Sequence, residues 1–299
     1  MPLGIDPTVD YAFKRLFADP ANTDLLLHLL RAVLPLSPPL VDVVILNPFN
    51  EKEFADDKLS VLDLKARSAS GEWYNVEIQS KAHWSLRPRL AYYGASLYVD
   101  QLAAGDDYAA LAPAITICFL KEILFREASA PHLQFTLYDG QHQVELTDRL
   151  QVHTIELPKY NFEGVSPASA AGLAQWAFFF SRAADLEADE LKRLLPQPEF
   201  VKATGVVEMI AQTPQERLQY EARRKAELDF RSFVADARRE GHEEGREQGH
   251  KLGLVEQVQL LQELLHESVA TTADLMAQDN DALAQLCAEL RGRLRACQT

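Results

Sequence analysis

Two apolar runs separated by a short turn constrain this chain more than any other feature. They are Val61-Leu62-Asp63-Leu64-Lys65 and Asn75-Val76-Glu77-Ile78-Gln79, with Ser68-Ala69-Ser70-Gly71-Glu72 between them. The composition predicts a β-hairpin with strands over residues 58–66 and 73–80. Each strand carries a carboxylate among apolar neighbours. A carboxylate in a half-buried strand costs free energy unless a cation or hydrogen-bond donors compensate it. Residues i and i+2 of a strand share a face, so Glu77 and Gln79 project together while Val76 and Ile78 point the other way. An antiparallel register set by the turn brings Asp63 within reach of Glu77. Two adjacent carboxylates repel. A hard cation such as Mg²⁺ relieves that repulsion, binding one or two carboxylates and completing its octahedron with water and phosphate oxygens. The plainer reading of the alternation alone is a solvated hairpin face made of Asp63, Lys65, Glu77 and Gln79.

The elements around the hairpin predict an α/β core of about 160 residues, within the usual size of one domain. Asp6-Pro7-Thr8 opens a helix that places Val9, Phe13, Leu16 and Phe17 on one face and ends at Asp19-Pro20. A leucine-rich helix follows over residues 23–33. Residues 40–46 read as a buried strand. Residues 86–102 read as a long amphipathic helix offering Tyr92, Tyr93, Leu97, Tyr98 and Leu102 to the core. Residues 113–120 are a further buried strand, 133–138 and 144–146 form a second hairpin, and 152–157 add an edge. Residues 1–165 are thus one domain, 166–214 a helical extension packed on it, and 215–299 a charged long helix with a small helical tail. Within that helix a glycine recurs every four residues at Gly241, Gly245, Gly249 and Gly253. The repeat reads equally as a hinge or as a seam for pairing with another helix, which would make the chain a homo-oligomer.

The formal net charge is −14, opposite in sign to a protein that coats nucleic acid. Any nucleic-acid contact must come from a local patch, and Lys58, Lys65, Arg67, Lys81, Arg87 and Arg89 cluster around the hairpin. Asp56-Asp57 reads as a solvated loop end. The cysteines Cys118, Cys287 and Cys297 form no CxxC pair, so neither a disulfide framework nor a cysteine zinc site is expected. His132, His142 and His153 lack zinc spacing, and His83 is read as a loop histidine. No run of about 18 apolar residues predicts a membrane span, and a cytoplasmic location is expected.

Several segments together resemble one branch of the PD-(D/E)XK nuclease superfamily, the recombination-promoting nuclease/transposase family. They are Asp10-Tyr11-Ala12-Phe13-Lys14-Arg15-Leu16-Phe17, Asp63-Leu64-Lys65-Ala66 with Gly71, and Val76-Glu77-Ile78-Gln79. Arg89 with Tyr92-Tyr93, Gln101, Gly105-Asp106-Asp107-Tyr108 and the strand from Pro113 continue the likeness, which covers residues 5–125. Their order and spacing turn the balance against the solvated-face reading. The resemblance implies a restriction-endonuclease-like mixed sheet flanked by helices, with a long helical C-terminal extension. It implies a metal-dependent DNA endonuclease linked to recombination or mobile elements, using Mg²⁺ with Mn²⁺ able to substitute. Asp63 and Glu77 would be metal ligands. Gln79 would stand where many superfamily members carry a lysine, with Lys81 able to substitute in part. Asp10 is a candidate third acid, although an acidic residue at a helix start is more ordinary. Arg89 and Lys65 would contact DNA phosphates. The alternative is an inactive DNA-binding or oligomerising protein that keeps the fold.

Overall fold

The computed structural model describes residues 1–34, 39–47, 49 and 64–296, with Arg231 described by its backbone alone. The chain divides into two compact units, Met1–Lys225 and Ala226–Thr299. The first opens with α1 (Asp10–Phe17) and α2 (Thr23–Val33). Asp10 in the first turn of α1 and Lys14 and Arg15 in its last turn complement the helix dipole. Leu34, which precedes Pro35, is extended at φ −114° and ψ 97°, as the clash with a following proline ring demands, and α2 stops there.

The strands are β1 (Val43–Ile45), β2 (Leu64–Ser68), β3 (Trp73–Gln79), β4 (Ala114–Leu120), β5 (His132–Asp139) and β6 (Val144–Glu156). Among the described residues they make one mixed sheet in the order β1-β2-β3-β4-β6-β5. β1, β2 and β3 pair antiparallel, β3, β4 and β6 pair parallel, and β5 and β6 close the far edge antiparallel. The hairpin predicted around Gly71 is present. Gly71 has φ +105°, a left-handed backbone natural to glycine, and its N–H donates to Ser68 O at 3.1 Å. Hydroxyls of Ser68 and Ser70 donate to the Glu72 carboxylate. Burial opposes ionisation of Glu72, but these bonds outweigh it and hold the carboxyl below its usual range.

β4 lies at the centre with all seven residues buried, which explains its near-continuous apolar sequence. Leu64, Ala66, Tyr74, Val76, Ile78, Ile117 and Phe119 turn to one core shared with α1, α2 and three later helices, α4 (Gly172–Arg182), α5 (Ala188–Leu194) and α6 (Pro198–Gln212). Trp176 of α4 is its anchor, 4.5 Å from the Phe200 ring and 5.3 Å from that of Phe17. The opposite face of the sheet is covered by α3 (Leu86–Val99), through Leu86 and Leu90 against Cys118 and Leu120.

Three local expectations change. The strand expected over residues 40–46 is shorter and lies at the sheet edge; Val43 is buried but Val41 and Val44 are exposed. The separate strands at 144–146 and 152–157 are one strand, β6, lying between β4 and β5 rather than at an edge. α3 ends at Val99 and turns Leu86, Leu90, Gly94 and Leu97 inward, leaving Tyr92 exposed. Gly94 sets that rotation: a Cβ there would lie 3.3 Å from Leu150 Cδ1 and 3.4 Å from Thr116 Oγ1.

α7 (Pro214–Leu264) begins in the first unit, where Glu216 receives Arg15 Nη2 at 2.9 Å and the Tyr11 hydroxyl at 2.7 Å. In the second unit α7 is helical through its four glycines. Val255, Val258 and Leu261 pack with α8 (Thr272–Met276) and α9 (Asn280–Ala296) through Leu275, Leu283 and Leu290. No described helix is long and apolar enough to cross a membrane. Cys118 and Cys287 are buried, and Cys297 lies outside the described residues.

Candidate active site

β3 carries two of the candidate residues, Glu77 and Gln79. Its core-facing residues, Tyr74, Val76 and Ile78, hold the strand by apolar burial, and the intervening residues therefore present polar groups to the face that α3 covers. On that face Glu77 is 0% exposed and Asn75 is 2% exposed. Gln79 Nε2 donates to Glu77 Oε2 at 2.8 Å, so the two side chains meet as the i, i+2 spacing predicts. Glu77 belongs to no solvated face.

The antiparallel register with β2 places Leu64 opposite Val76 and Lys65 opposite Asn75. Lys65 is exposed, and its backbone N–H donates to Asn47 Oδ1 at 2.6 Å. Asp63, next in the chain before Leu64, lies outside the described residues, as do Asp56, Asp57 and Lys58. Among the described residues no group of three or more His, Cys, Asp or Glu side chains is arranged around a common metal position.

The remaining candidates are spread more widely. The Lys81 ammonium pairs with Glu122, whose other oxygen accepts from Ala82 N at 3.1 Å. Asp10 lies 3.5 Å from Lys14 on α1, both nearly buried. Arg89 stacks over Tyr93 with its guanidinium carbon 5.8 Å from the ring centroid. Arg67 lies over Trp73 in the same manner at 5.2 Å. His83 Nδ1 is 2.7 Å from Ser85 Oγ, and burial and then the Arg89 charge lower its pKa.

Some features of this sheet were invisible to pattern reading because they depend on register. Asn75 stands opposite Thr116 on β4. Both are buried, and neither side chain has a hydrogen-bond partner among the described residues. Glu156, at the end of β6, is 0% exposed and pairs with Lys159. Its Oε1 accepts the N–H groups of Leu124 and Phe125 at 2.5 and 2.8 Å, and Lys159 Nζ donates to the carbonyls of Phe125 and Ala128 at 2.8 and 2.6 Å. This buried pair fixes the segment that follows β4. Pairing of β5 with β6 also joins two of the three histidines that looked scattered: His132 Nε2 lies 2.9 Å from His153 Nδ1.

At the carboxyl ends of β3 and β4, Lys121 N donates to Gln79 O at 3.0 Å. A cleft of about 500 Å³ opens there, starting three residues beyond Gln79. It runs between the loop entering α3 and the segment held by Glu156, and its walls include His83, Trp84, Arg87, Leu124 and Arg126.

Residues 7–237 match a family model described as PD-(D/E)XK nuclease family transposase. No curated protein and no solved structure matches the chain.

Proposed function

Because the chain belongs to the PD-(D/E)XK nuclease family transposases, we propose that it is a metal-dependent DNA endonuclease acting on phosphodiester bonds in recombination or element mobility. The observation that carries this reading is the buried Glu77 carboxylate joined to Gln79 at 2.8 Å on β3. A fully buried carboxylate on a strand is expensive as a structural device and useful as a ligand for a hard cation.

The donor set fits a divalent ion of the Mg²⁺ or Mn²⁺ type, which prefers carboxylate and amide oxygens. Glu77 and Asp63 would hold it. When bound, such an ion lowers the pKa of water and neutralises charge on the phosphate. Gln79 orients the Glu77 carboxylate through its amide N–H and offers a neutral group for positioning water. Arg89 and Lys65 supply charge toward phosphates, which fixes DNA register without reading sequence. Lys81 acts here only by leaving Glu122. Asp10 serves as a helix-start acid paired with Lys14.

A second reading, a DNA-binding or oligomerising protein without catalysis, is favoured by the Lys81–Glu122 pair, which leaves a neutral Gln79 where a lysine is common. Nicking of supercoiled DNA in Mg²⁺ or Mn²⁺ separates the two. The endonuclease reading expects nicking by the parent and its loss in Asp63→Ala and in Glu77→Gln. Equal nicking by parent and variants, or none by the parent, selects the second reading.

A further inference from the structure

Trp84 is 87% exposed, on the loop that leads from β3 into α3. Tryptophan is highly buried on average, and the other two in this chain follow that habit. Trp176 is fully buried, and Trp73 is half-buried beneath Arg67. Trp84 instead stands at the wall of the cleft that opens beyond Gln79. Arg126 also lines the cleft and is exposed, with no ion pair of its side chain among the described residues, whereas Glu127, in the same wall, is paired with Arg87. Arg87 is held in place: its guanidinium lies 4.3 Å from the Phe125 ring centroid and donates to Leu124 O at 2.9 Å and Glu127 Oε1 at 3.1 Å. A bare indole in a cleft that Arg87 and Arg126 also line, in a chain of net charge −14, suits an anionic ligand with flat apolar rings. Nucleic acid has that chemistry. A base inside a duplex has both faces covered by its neighbours, so an exposed ring can stack only on an unpaired or extruded base.

We propose that Trp84 is a nucleobase-stacking residue, which holds an unpaired base of a DNA strand over this cleft while Arg126 and Arg87 take the adjoining phosphates. The proposal rests on the nuclease reading for its substrate and deepens it: the preferred DNA has single-stranded character next to the cleavage point. Base–aromatic stacking tolerates any sequence and contributes enough per base to change affinity severalfold or more.

The test measures binding and cleavage separately with the full-length protein. A labelled oligothymidine of about 12 nucleotides is titrated in EDTA and followed by anisotropy, while tryptophan emission is recorded in parallel. Quenching of the parent's emission is expected, together with its loss in Trp84→Phe at near-parental affinity. Trp84→Ala is expected to weaken binding about tenfold and to leave affinity for a blunt duplex of equal length within twofold. Affinity of Trp84→Ala within twofold of the parent, or binding without quenching, overturns the proposal. So does an emission change that follows protein concentration without DNA, which would put a second copy of the chain on Trp84. Nicking in Mg²⁺ or Mn²⁺ is scored on the same preparations. The expected binding pattern without nicking upholds stacking and removes the nuclease reading; nicking without the pattern does the reverse.

Discussion

Glu77 is a residue that the fold alone does not favour, and the proposed function gives it a use. Its carboxylate sits fully buried on β3 with the Gln79 amide at 2.8 Å, where an apolar residue would stabilise the sheet more. If a divalent ion uses this carboxylate, the ion stabilises the native state by mass action, by about 2.7 kcal/mol at a hundred times its Kd. The parent is therefore expected to melt at a higher temperature in Mn²⁺ than in EDTA, and Glu77→Gln to melt at one temperature in both. Calorimetry or thermal circular dichroism checks this without any nuclease assay. His153 gives a prediction of the opposite kind. Burial, and then the neighbouring His132, hold its pKa down to about 4. An unfolded histidine binds its proton near 6.5, so the unfolded chain takes up a proton first as pH falls. The stability this neutral histidine leaves intact above pH 6.5 is lost progressively as pH falls toward 4, at about 1.4 kcal/mol per unit. His153→Gln is expected to flatten that part of the pH profile relative to the parent in urea unfolding at pH 7, 6 and 5. Equal slopes would show that the imidazole is charged in the fold. The two residues also differ in legibility. The meeting of Glu77 with Gln79 follows from strand periodicity within one segment. The meeting of His132 with His153 needs the register of β5 on β6, including its irregularity between Phe135 and Tyr138, and no local pattern encodes that.

At the scale of elements, local chemistry predicts best where it acts alone. The bounds of α2 follow from its leucine spacing and the proline that stops it, and the β2–β3 turn follows from Gly71. β6 was harder to read because its middle, Thr147-Asp148-Arg149, is polar and resembles a loop; pairing with β5 and β4 keeps it extended. α3 was misjudged in rotation because its aromatic residues looked like the core face, whereas Gly94 faces the sheet. Close approach there predicts a graded response. Gly94→Ala gains about 1 kcal/mol of helix propensity against mild crowding of Leu150 and Thr116, and is expected to be nearly neutral. Gly94→Leu is expected to destabilise by about 1–3 kcal/mol through overpacking, as read from the urea midpoint. The segment after β4 depends on a different device, the buried Glu156–Lys159 pair. Lys159→Met removes the cation and three carbonyl contacts but leaves the carboxylate buried. A loss of about 3–5 kcal/mol is expected, with Arg126 and the cleft wall loosened before the central sheet. Faster amide exchange at Leu124 and Phe125 than at Ile117 would mark that order; uniform exchange would refute it.

For the whole molecule, the break in organisation falls inside one helix. About the first three turns of α7, up to Lys225, belong to the first unit, where Tyr220 is buried and its hydroxyl accepts Asp6 N at 2.9 Å, and where Glu216 binds Arg15 and Tyr11. Cutting the chain before Pro214 would strip those contacts, so a truncation that respects the fold ends at Lys225. Beyond it α7 exposes Phe230, Phe233 and Val234, which helical spacing places on one side. The same direction continues through Ala237 and Gly241 toward Gly245. A Cβ added at Gly241, Gly245, Gly249 or Gly253 would meet nothing within 4 Å, so packing within the chain does not require these glycines. Each costs about 1 kcal/mol of helix propensity relative to alanine, which close approach of another helix can offset. That argument predicts self-association through the second unit, with the proposed chemistry confined to the first. Sedimentation is expected to show the full chain above monomer mass and the 1–225 chain as a monomer, with metal-dependent nicking per site retained. Phe233→Glu in the full chain is expected to shift it toward monomer while leaving its helix content unchanged. An assembly that survives both changes would place self-association on the first unit.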